Sequence, residues 1–221
     1  AAVARTELTF ATWNVHGHRP DAPFEPAAFA DAIARIGADV VALQEVGATA
    51  GGLDQAAAIA ALLGMHPVFG PNVTRRNGRW RCGNALVTRF PVIESANHDL
   101  SVAGVEPRGC LVARLEIPGG ELVAASVHLG LGHSERAEQA VRLGNVFASE
   151  HDPLLLGADA NDWFPGRDTR TLRRSLTDAW TSAGSGPRST WPAMFPLLRL
   201  DHVFVRPPVE VVIEDCVLSD A

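Results

Sequence analysis

Apolar residues along this chain change their period several times, and each change marks an element. Residues 7–13, ELTFATW, mix aromatic and β-branched positions and predict a strand, closed by the turn-like HGHRPDAP. From Pro26 to Ile36 the period lengthens: Phe29, Ile33 and Ile36 share one helical face, and Gly37 is placed to end it. DVVALQEV follows as a buried strand, and an alanine-rich helix then runs from about Asp54 to Leu63 and stops at Gly64. GNALVTRF, CLVARLEI and ELVAASVHL read as strands, with Pro118-Gly119-Gly120 marking a hairpin between the last two. Ser134 to Ser149 returns to a helical period, with Ala137, Ala140, Val141 and Gly144 on one stripe and Glu135 near the positive N-terminus. PLLLGAD, LDHVFV and VEVVIEDCV predict three more strands. No repeat, low-complexity tract or linker breaks the series, so one layered α/β or α+β domain is expected over residues 1–221.

Composition narrows this only a little. With 47% apolar and 20% charged residues, the chain resembles an ordinary globular protein large enough for a well-buried core. No apolar run is long enough to span a bilayer, and neither a basic amphipathic helix nor an exposed apolar anchor is evident. The first residues, AAVARTELTF, lack the basic-then-apolar layout of a signal peptide, so a cytoplasmic, monomeric protein is expected. Cys82, Cys110 and Cys216 are scattered and lack CxxC spacing, which points to buried free thiols rather than a disulfide framework or zinc site. A net charge of −6 disfavours nucleic acid as a partner held by bulk electrostatics. The local exception is RRNGRWR (75–81), which reads either as a solvated loop or as a phosphate-facing edge.

The chemistry lies in the polar residues that close the predicted strands. Asn14 follows TFATW, Glu45 follows VVALQ, His128 follows AASV, Asp159 and Asn161 surround the end of LLLGA, and Asn84 opens NALV. Taken alone, each reads as a turn residue or a satisfied core histidine. Together they are coherent. Glu45 and Asn14 offer oxygen ligands for a hard cation such as Mg²⁺. His128, Asn84 and Asn161 are donors for phosphate oxygens, and Asp159 can orient or deprotonate an attacking water. Neither a Ser–His nor a Cys–His nucleophile pair nor a Walker-type glycine loop is suggested.

The ordered motifs TWNVHG, DVVALQEV, GNALVTRFP, SVHLGL, GADAND and RLDHVFV resemble the endonuclease/exonuclease/phosphatase superfamily from about Leu8 onward. That superfamily includes DNase I-like nucleases, abasic-site endonucleases, inositol-phosphate phosphatases and sphingomyelinases. EPRGCLVARL, HLGLGHSERAEQAVRL and STWPAMFPLLRLDHVFVRP are similar to its bacterial YbhP-like members. The resemblance implies an α+β, four-layer α/β/β/α sandwich of two mainly antiparallel sheets, with the site where strand ends meet. It implies a metal at Asn14 and Glu45 (Mg²⁺ or Mn²⁺), phosphate contacts from Asn84 and His128, and water activation by Asp159 with Asn161 as its partner. GADAND departs from the family's Gly-Asp-Phe-Asn run at Ala158 and Ala160, changes that spare the polar pair.

Asp201 and His202 stand side by side in RLDHVFV, yet the resemblance gives a role only to Asp201, as support for a histidine arriving later in a Ser-Asp-His motif. Strand alternation agrees, since neighbouring side chains point to opposite faces. Ser219-Asp220-Ala221 is read as a turn before that motif, so the Asp–His pair and a last strand are expected beyond Ala221. Trp163, Trp180 and Trp191 are expected in the core. The function expected is metal-dependent hydrolysis of a phosphodiester or phosphomonoester. The alternatives are a nuclease acting on DNA or RNA and a non-catalytic binder of phosphorylated ligands.

Overall fold

The computed structural model describes residues 6–17, 23–52, 54–75, 78–148, 150–164, 169–192, 194–212 and 214–215. Its elements in chain order are β1 (Phe10–Asn14), α1 (Pro26–Ile36), β2 (Val40–Thr49), α2 (Gln55–Leu63), β3 (His66–Arg75), β4 (Trp80–Thr88), β5 (Val92–Asp99) and β6 (Gly109–Ile117). They continue with β7 (Gly120–His128), α3 (His133–Ala148), β8 (Leu154–Asp159), β9 (Thr177–Asp178), α4 (Ala179–Ala183) and β10 (Asp201–Arg206). One sheet has the order β1-β2-β4-β3, the other β5-β6-β7-β8-β10-β9. Among these named strands, only β1–β2 and β7–β8 pair in parallel. The result is an α+β sandwich.

Side-chain alternation builds its layers. Val40, Ala42 and Leu86 of the first sheet meet Leu111, Ala113 and Ala124 of the second between the sheets. The opposite face of the first sheet, with Val41, Leu43, Val46 and Val87, packs on Phe29 and Ile33 of α1 and Ile59 of α2. Val123, Val127, Leu154 and Leu156 of the second sheet pack outward on Leu143 and Phe147 of α3. Each such fully buried Leu, Ile or Phe contributes roughly 1.5–3 kcal/mol. The sheets approach closely at Gly157, where a β-carbon would lie 2.5 Å from Ala42 Cβ and 2.8 Å from Thr12 Oγ1.

The helix ends follow the expected chemistry. Gly37 and Gly64 close α1 and α2 in the left-handed conformation, and the Asp54 side chain caps α2 by accepting from Ala57 N. The face of α3 differs from the expected stripe: Arg136, Gln139, Ala140, Leu143 and Phe147 are buried, whereas Ala137 and Val141 are exposed. The polar pair is satisfied locally, because Arg136 donates to the carbonyls of Gly130 and Leu131 and Gln139 accepts from Gly130 N. These bonds anchor the segment that follows β7.

Three strands, β3, β5 and the two-residue β9, carry no clear sequence signal, and all three are sheet edges. β3 carries Pro67 and Pro71, and β5 is largely polar and exposed, so neither shows a clean apolar period. The strand expected over VEVVIEDCV is not formed across 209–212, which follow two prolines without N–H groups. Val209 and Val211 instead pack beside Leu122, Leu155 and Val205. Residues 213 and 216–221, with Cys216 and the Ser219-Asp220-Ala221 turn, lie outside the described residues. Cys82 and Cys110 are free thiols; burial and the Glu45 charge push Cys82 up to about 11.

Candidate active site

Alternation along five strands brings the polar strand ends to one end of the sandwich, facing the gap between sheets. On β1, Phe10 and Thr12 face inward, so Asn14 does too; Ala124 and Ser126 do the same for His128 on β7. Asp159 is the last residue of β8 and is in register with His128 on one side and Asp201 on the other. On β4, Asn84 shares the inward face with Leu86.

Glu45 reaches this end by a different device. Strict alternation after Leu43 and Gln44 would turn it outward toward the helices. Instead the β2–β4 register shifts between Leu43 and Val46, and Glu45 adopts a left-handed φ of 57°. The extra residue makes a bulge that turns the carboxylate into the mouth. Asn161, at φ 45°, and His16, at φ 56°, are the other non-glycine residues with positive φ among those described. Left-handed backbone at a residue with a side chain is uncommon, and here it gathers around one site.

The resulting contacts cross between the sheets. Asn14 Nδ2 donates to Glu45 Oε1 at 3.1 Å and to Asp159 Oδ2 at 2.8 Å, while its Oδ1 accepts from His16 N. Asp159 Oδ1 accepts from Asn161 N at 3.1 Å. Asn161 Nδ2 donates to Leu129 O at 3.0 Å and lies 2.9 Å from His128 Nε2. That carbonyl fixes the amide's orientation, so the second amide hydrogen meets His128 Nε2 as an acceptor, and the imidazole proton falls on Nδ1. Burial lowers the His128 pKa below its ordinary value despite the opposing pull of Asp159, so the ring is neutral. Its Nδ1–H lies 3.8 Å from Glu45 Oε1, and the Arg108 nitrogen 3.5 Å away is itself a donor, so that approach is a contact and not a hydrogen bond.

Asp201 and Asn84 complete the mouth without joining this network. Burial and the neighbouring Asp159 charge push Asp201 up to about 7, against a hydrogen bond with Thr190. Asn84 Nδ2 donates to Gly109 O at 2.8 Å, tying the sheets together, and its buried Oδ1 has no donor among the described residues. His202 points the other way, as alternation requires. It stacks on Phe204 with its Nδ1 3.4 Å from Asp178 Oδ2, in a buried cluster where Arg173 and Arg199 also bind Asp178. Beneath the mouth, Gln44 Nε2 donates to Ser126 Oγ at 3.0 Å and Thr12 Oγ1 at 3.2 Å, a buried polar floor linking the sheets.

Arg108 is the residue that sequence reasoning passed over. It precedes β6 beside His128, is held by Glu106 at 3.2 Å, and lines a polar cleft of about 260 Å³ with Asn72, Asn97, Asp99 and Ser101. The signal was its position immediately before a strand whose neighbour ends in the site histidine. In RRNGRWR, Arg75 pairs with Glu106, which joins that segment to Arg108, while Trp80 is buried against Gly47. Arg76 and Asn77 lie outside the described residues. The expectation that Trp163 and Trp191 are core residues is corrected. Both are exposed and pack edge-to-face at 4.9 Å, whereas Trp180 is half-buried under Arg199.

Comparisons with known proteins agree with this architecture. Over 129 residues the chain is 35% identical to the uncharacterized protein YbhP of Escherichia coli K12, covering 56% of the chain and 51% of YbhP. It thus spans about half the length of the curated relatives it matches. An endonuclease/exonuclease/phosphatase from Beutenbergia cavernae superposes with a TM-score of 0.73 at 26% identity, over 90% of this chain and 64% of that one. The mannosyl-6-phosphatase Bt3783 of Bacteroides thetaiotaomicron shares the fold at 18% identity, with a TM-score of 0.68 over 91% of this chain and 86% of that one. Residues 11–220 match the family model described as Endonuclease/Exonuclease/phosphatase family, and the chain belongs to that family.

Proposed function

We propose that this chain hydrolyses a phosphodiester or phosphomonoester through a water positioned at Asp159, with a divalent cation, Mg²⁺ or Mn²⁺, held at Glu45 and Asn14. Hydrolysis of phosphoester bonds is the chemistry of the family. The observation that carries the reading is the convergence of Asn14, Glu45, His128, Asp159 and Asn161 through contacts of 2.8–3.8 Å across the gap between sheets.

The donor set suits a hard cation that keeps most of its waters. Among the described residues no trio of His, Cys, Asp or Glu closes around a common point, so the protein's share is one carboxylate and one amide oxygen. To offer its oxygen, Asn14 would turn its amide, giving up its hydrogen bonds to the two carboxylates and the one its Oδ1 accepts from His16 N. A β-carbon at residue 17 would come within 2.8 Å of Glu45 Oε2, so Gly17 leaves that side of the carboxylate open. When bound, the cation would polarise a phosphoryl oxygen and offset the charge gathering on it.

The chain's own groups do the rest. Asp159, with Oδ1 held by Asn161 N, orients the water and accepts its proton. His128 Nδ1–H and the Arg108 guanidinium meet the phosphoryl oxygens as fixed donors, and the polar cleft beside Arg108 receives the group the phosphate carries. The net charge of −6 weighs against nucleic acid as that group. The test is cleavage of bis(p-nitrophenyl) phosphate and p-nitrophenyl phosphate with Mg²⁺. Turnover is expected to vanish in EDTA and in Asp159→Ala, with an unchanged circular dichroism melt; equal turnover in the variant would refute the assignment.

A further inference from the structure

Large apolar side chains are exposed on two loops at the rim of the site. Trp163 lies two residues past Asn161, its N–H bonded to Asn161 O at 3.1 Å, with Phe164 beside it. The second loop carries Trp191, Met194, Phe195 and Leu197 and is anchored to the site by Thr190, whose Oγ1 accepts from Asp201 N. The edge-to-face contact of Trp163 with Trp191 joins the loops. Phe164 is 68% exposed, Phe195 71% and Met194 100%, so their burial awaits something outside this chain's described residues. A cluster of this kind marks an interaction surface, unlike single exposed apolar residues.

Charge says what that partner is. Residues 169–200 hold five arginines and one aspartate, a formal +4 within a chain of −6, and that aspartate, Asp178, is buried between Arg173 and Arg199. Arg170, Arg174 and Arg188 are exposed. Exposed aromatic and aliphatic side chains in one segment with exposed arginines, of which Arg188 shares a cleft with Trp163 and Leu197, match the layering of an anionic bilayer, apolar beneath and negative at its surface. We propose that these loops dock the protein on an anionic lipid surface, bringing the mouth formed by Asp159 and Asp201 to the headgroup layer. The half-covered amphipathic rings of Trp163 and Trp191 suit the interfacial layer, and the more exposed Phe164, Phe195 and Met194 supply the apolar contact.

Docking is independent of turnover, so the test measures binding in EDTA. The purified chain is co-sedimented with vesicles of phosphatidylcholine and phosphatidylglycerol in equal parts, with phosphatidylcholine alone, and with the mixed vesicles at high salt. Binding is expected to the mixed vesicles, weaker in each control. Phe164→Ser and Phe195→Ser should each lower the partition coefficient about tenfold or more. Cleavage of soluble bis(p-nitrophenyl) phosphate and the thermal melt should stay unchanged in both. Failure of the wild-type chain to bind mixed vesicles, or equal binding by both variants, would overturn the proposal. So would sedimentation equilibrium showing a dimer that both variants abolish and vesicles do not dissociate, since a second copy would then cover the patch. Loss of turnover with intact vesicle binding would strike the phosphoesterase reading and leave docking standing.

Discussion

Replacing Asn161 with aspartate isolates the feature that fixes the His128 proton. Aspartate has nearly the shape of asparagine and tolerates left-handed backbone, so the φ of 45° is retained and only the donors are lost. Two hydrogen bonds disappear, to Leu129 O at 3.0 Å and to His128 Nε2 at 2.9 Å. Each is worth roughly 0.5–1.5 kcal/mol, and leaving Leu129 O buried against a carboxylate costs about 1–3 kcal/mol more. A total of about 2–6 kcal/mol is expected in urea unfolding. The new carboxylate also draws the imidazole proton to Nε2, so Nδ1 no longer donates. Losing one fixed donor to a developing oxyanion costs roughly a hundredfold to a thousandfold in kcat. Two-dimensional ¹⁵N–¹H spectra of the imidazole identify the tautomer, and p-nitrophenyl ester turnover reports the rate. A wild-type His128 protonated at Nε2 alone, or N161D turnover within twofold of wild type, would refute the assignment.

Three further outcomes follow from other parts of the molecule. Glu45→Gln keeps the bulge but removes the one charged ligand proposed for the cation, so the Mg²⁺ concentration for half-maximal turnover should rise about tenfold or more; an unchanged Mg²⁺ titration would exclude Glu45 as a ligand. Gly157→Ala places a methyl 2.5 Å from Ala42 Cβ and should cost about 1–3 kcal/mol in urea unfolding, because both sheets must yield. For His202, burial lowers the folded pKa below the ordinary 6.5, against a raising contact with Asp178. Between 6.5 and that lower value the unfolded chain binds a proton the folded chain does not, so this residue's contribution falls with falling pH. The stability difference between wild type and His202→Leu should therefore shrink on acidification from pH 7, by about 1.4 kcal/mol for each pH unit inside that window. A difference independent of pH between 7 and 5 would contradict it.

The parts of the fold legible in the sequence are those where one residue face meets one environment. The α1 and α2 boundaries follow from Gly37, Gly64 and Asp54 because caps are local chemistry. The buried strands β6, β7 and β8 follow from continuous apolar runs. The edges β3 and β5 are held by pairing to β4 and β6 rather than by burial, so their sequences carry little of the signal. On α3 the buried face includes Arg136 and Gln139, whose partners Gly130 and Leu131 lie outside the helix and leave no periodic trace. Hydrophobicity alone places Trp163 and Trp191 inward, whereas the packing pairs them edge to face at the surface and leaves 37% and 38% of them exposed.

The site shows the same divide within a single rule. Alternation separates Asp201 from His202 because β10 keeps its period: Asp201 faces the mouth with Asp159, and His202 faces Phe204 and Asp178. Applied to Gln44 and Glu45, the same rule would place only Gln44 inward and leave Glu45 among the α1 and α2 contacts. The structure turns both to the inside, Gln44 into the floor with Ser126 and Glu45 into the mouth with Asn14. What permits this is one residue of left-handed backbone at Glu45, opposite Asn84, a conformation costing of order 1–3 kcal/mol that the fully buried neighbours Leu43 and Val46 hold in place. Shortening β2 by that residue would restore a regular ladder and raise stability on local grounds. It would also remove the carboxylate that meets Asn14 and His128, so the strain at Glu45 is the physical mark of a strand shaped by its site rather than by its sheet.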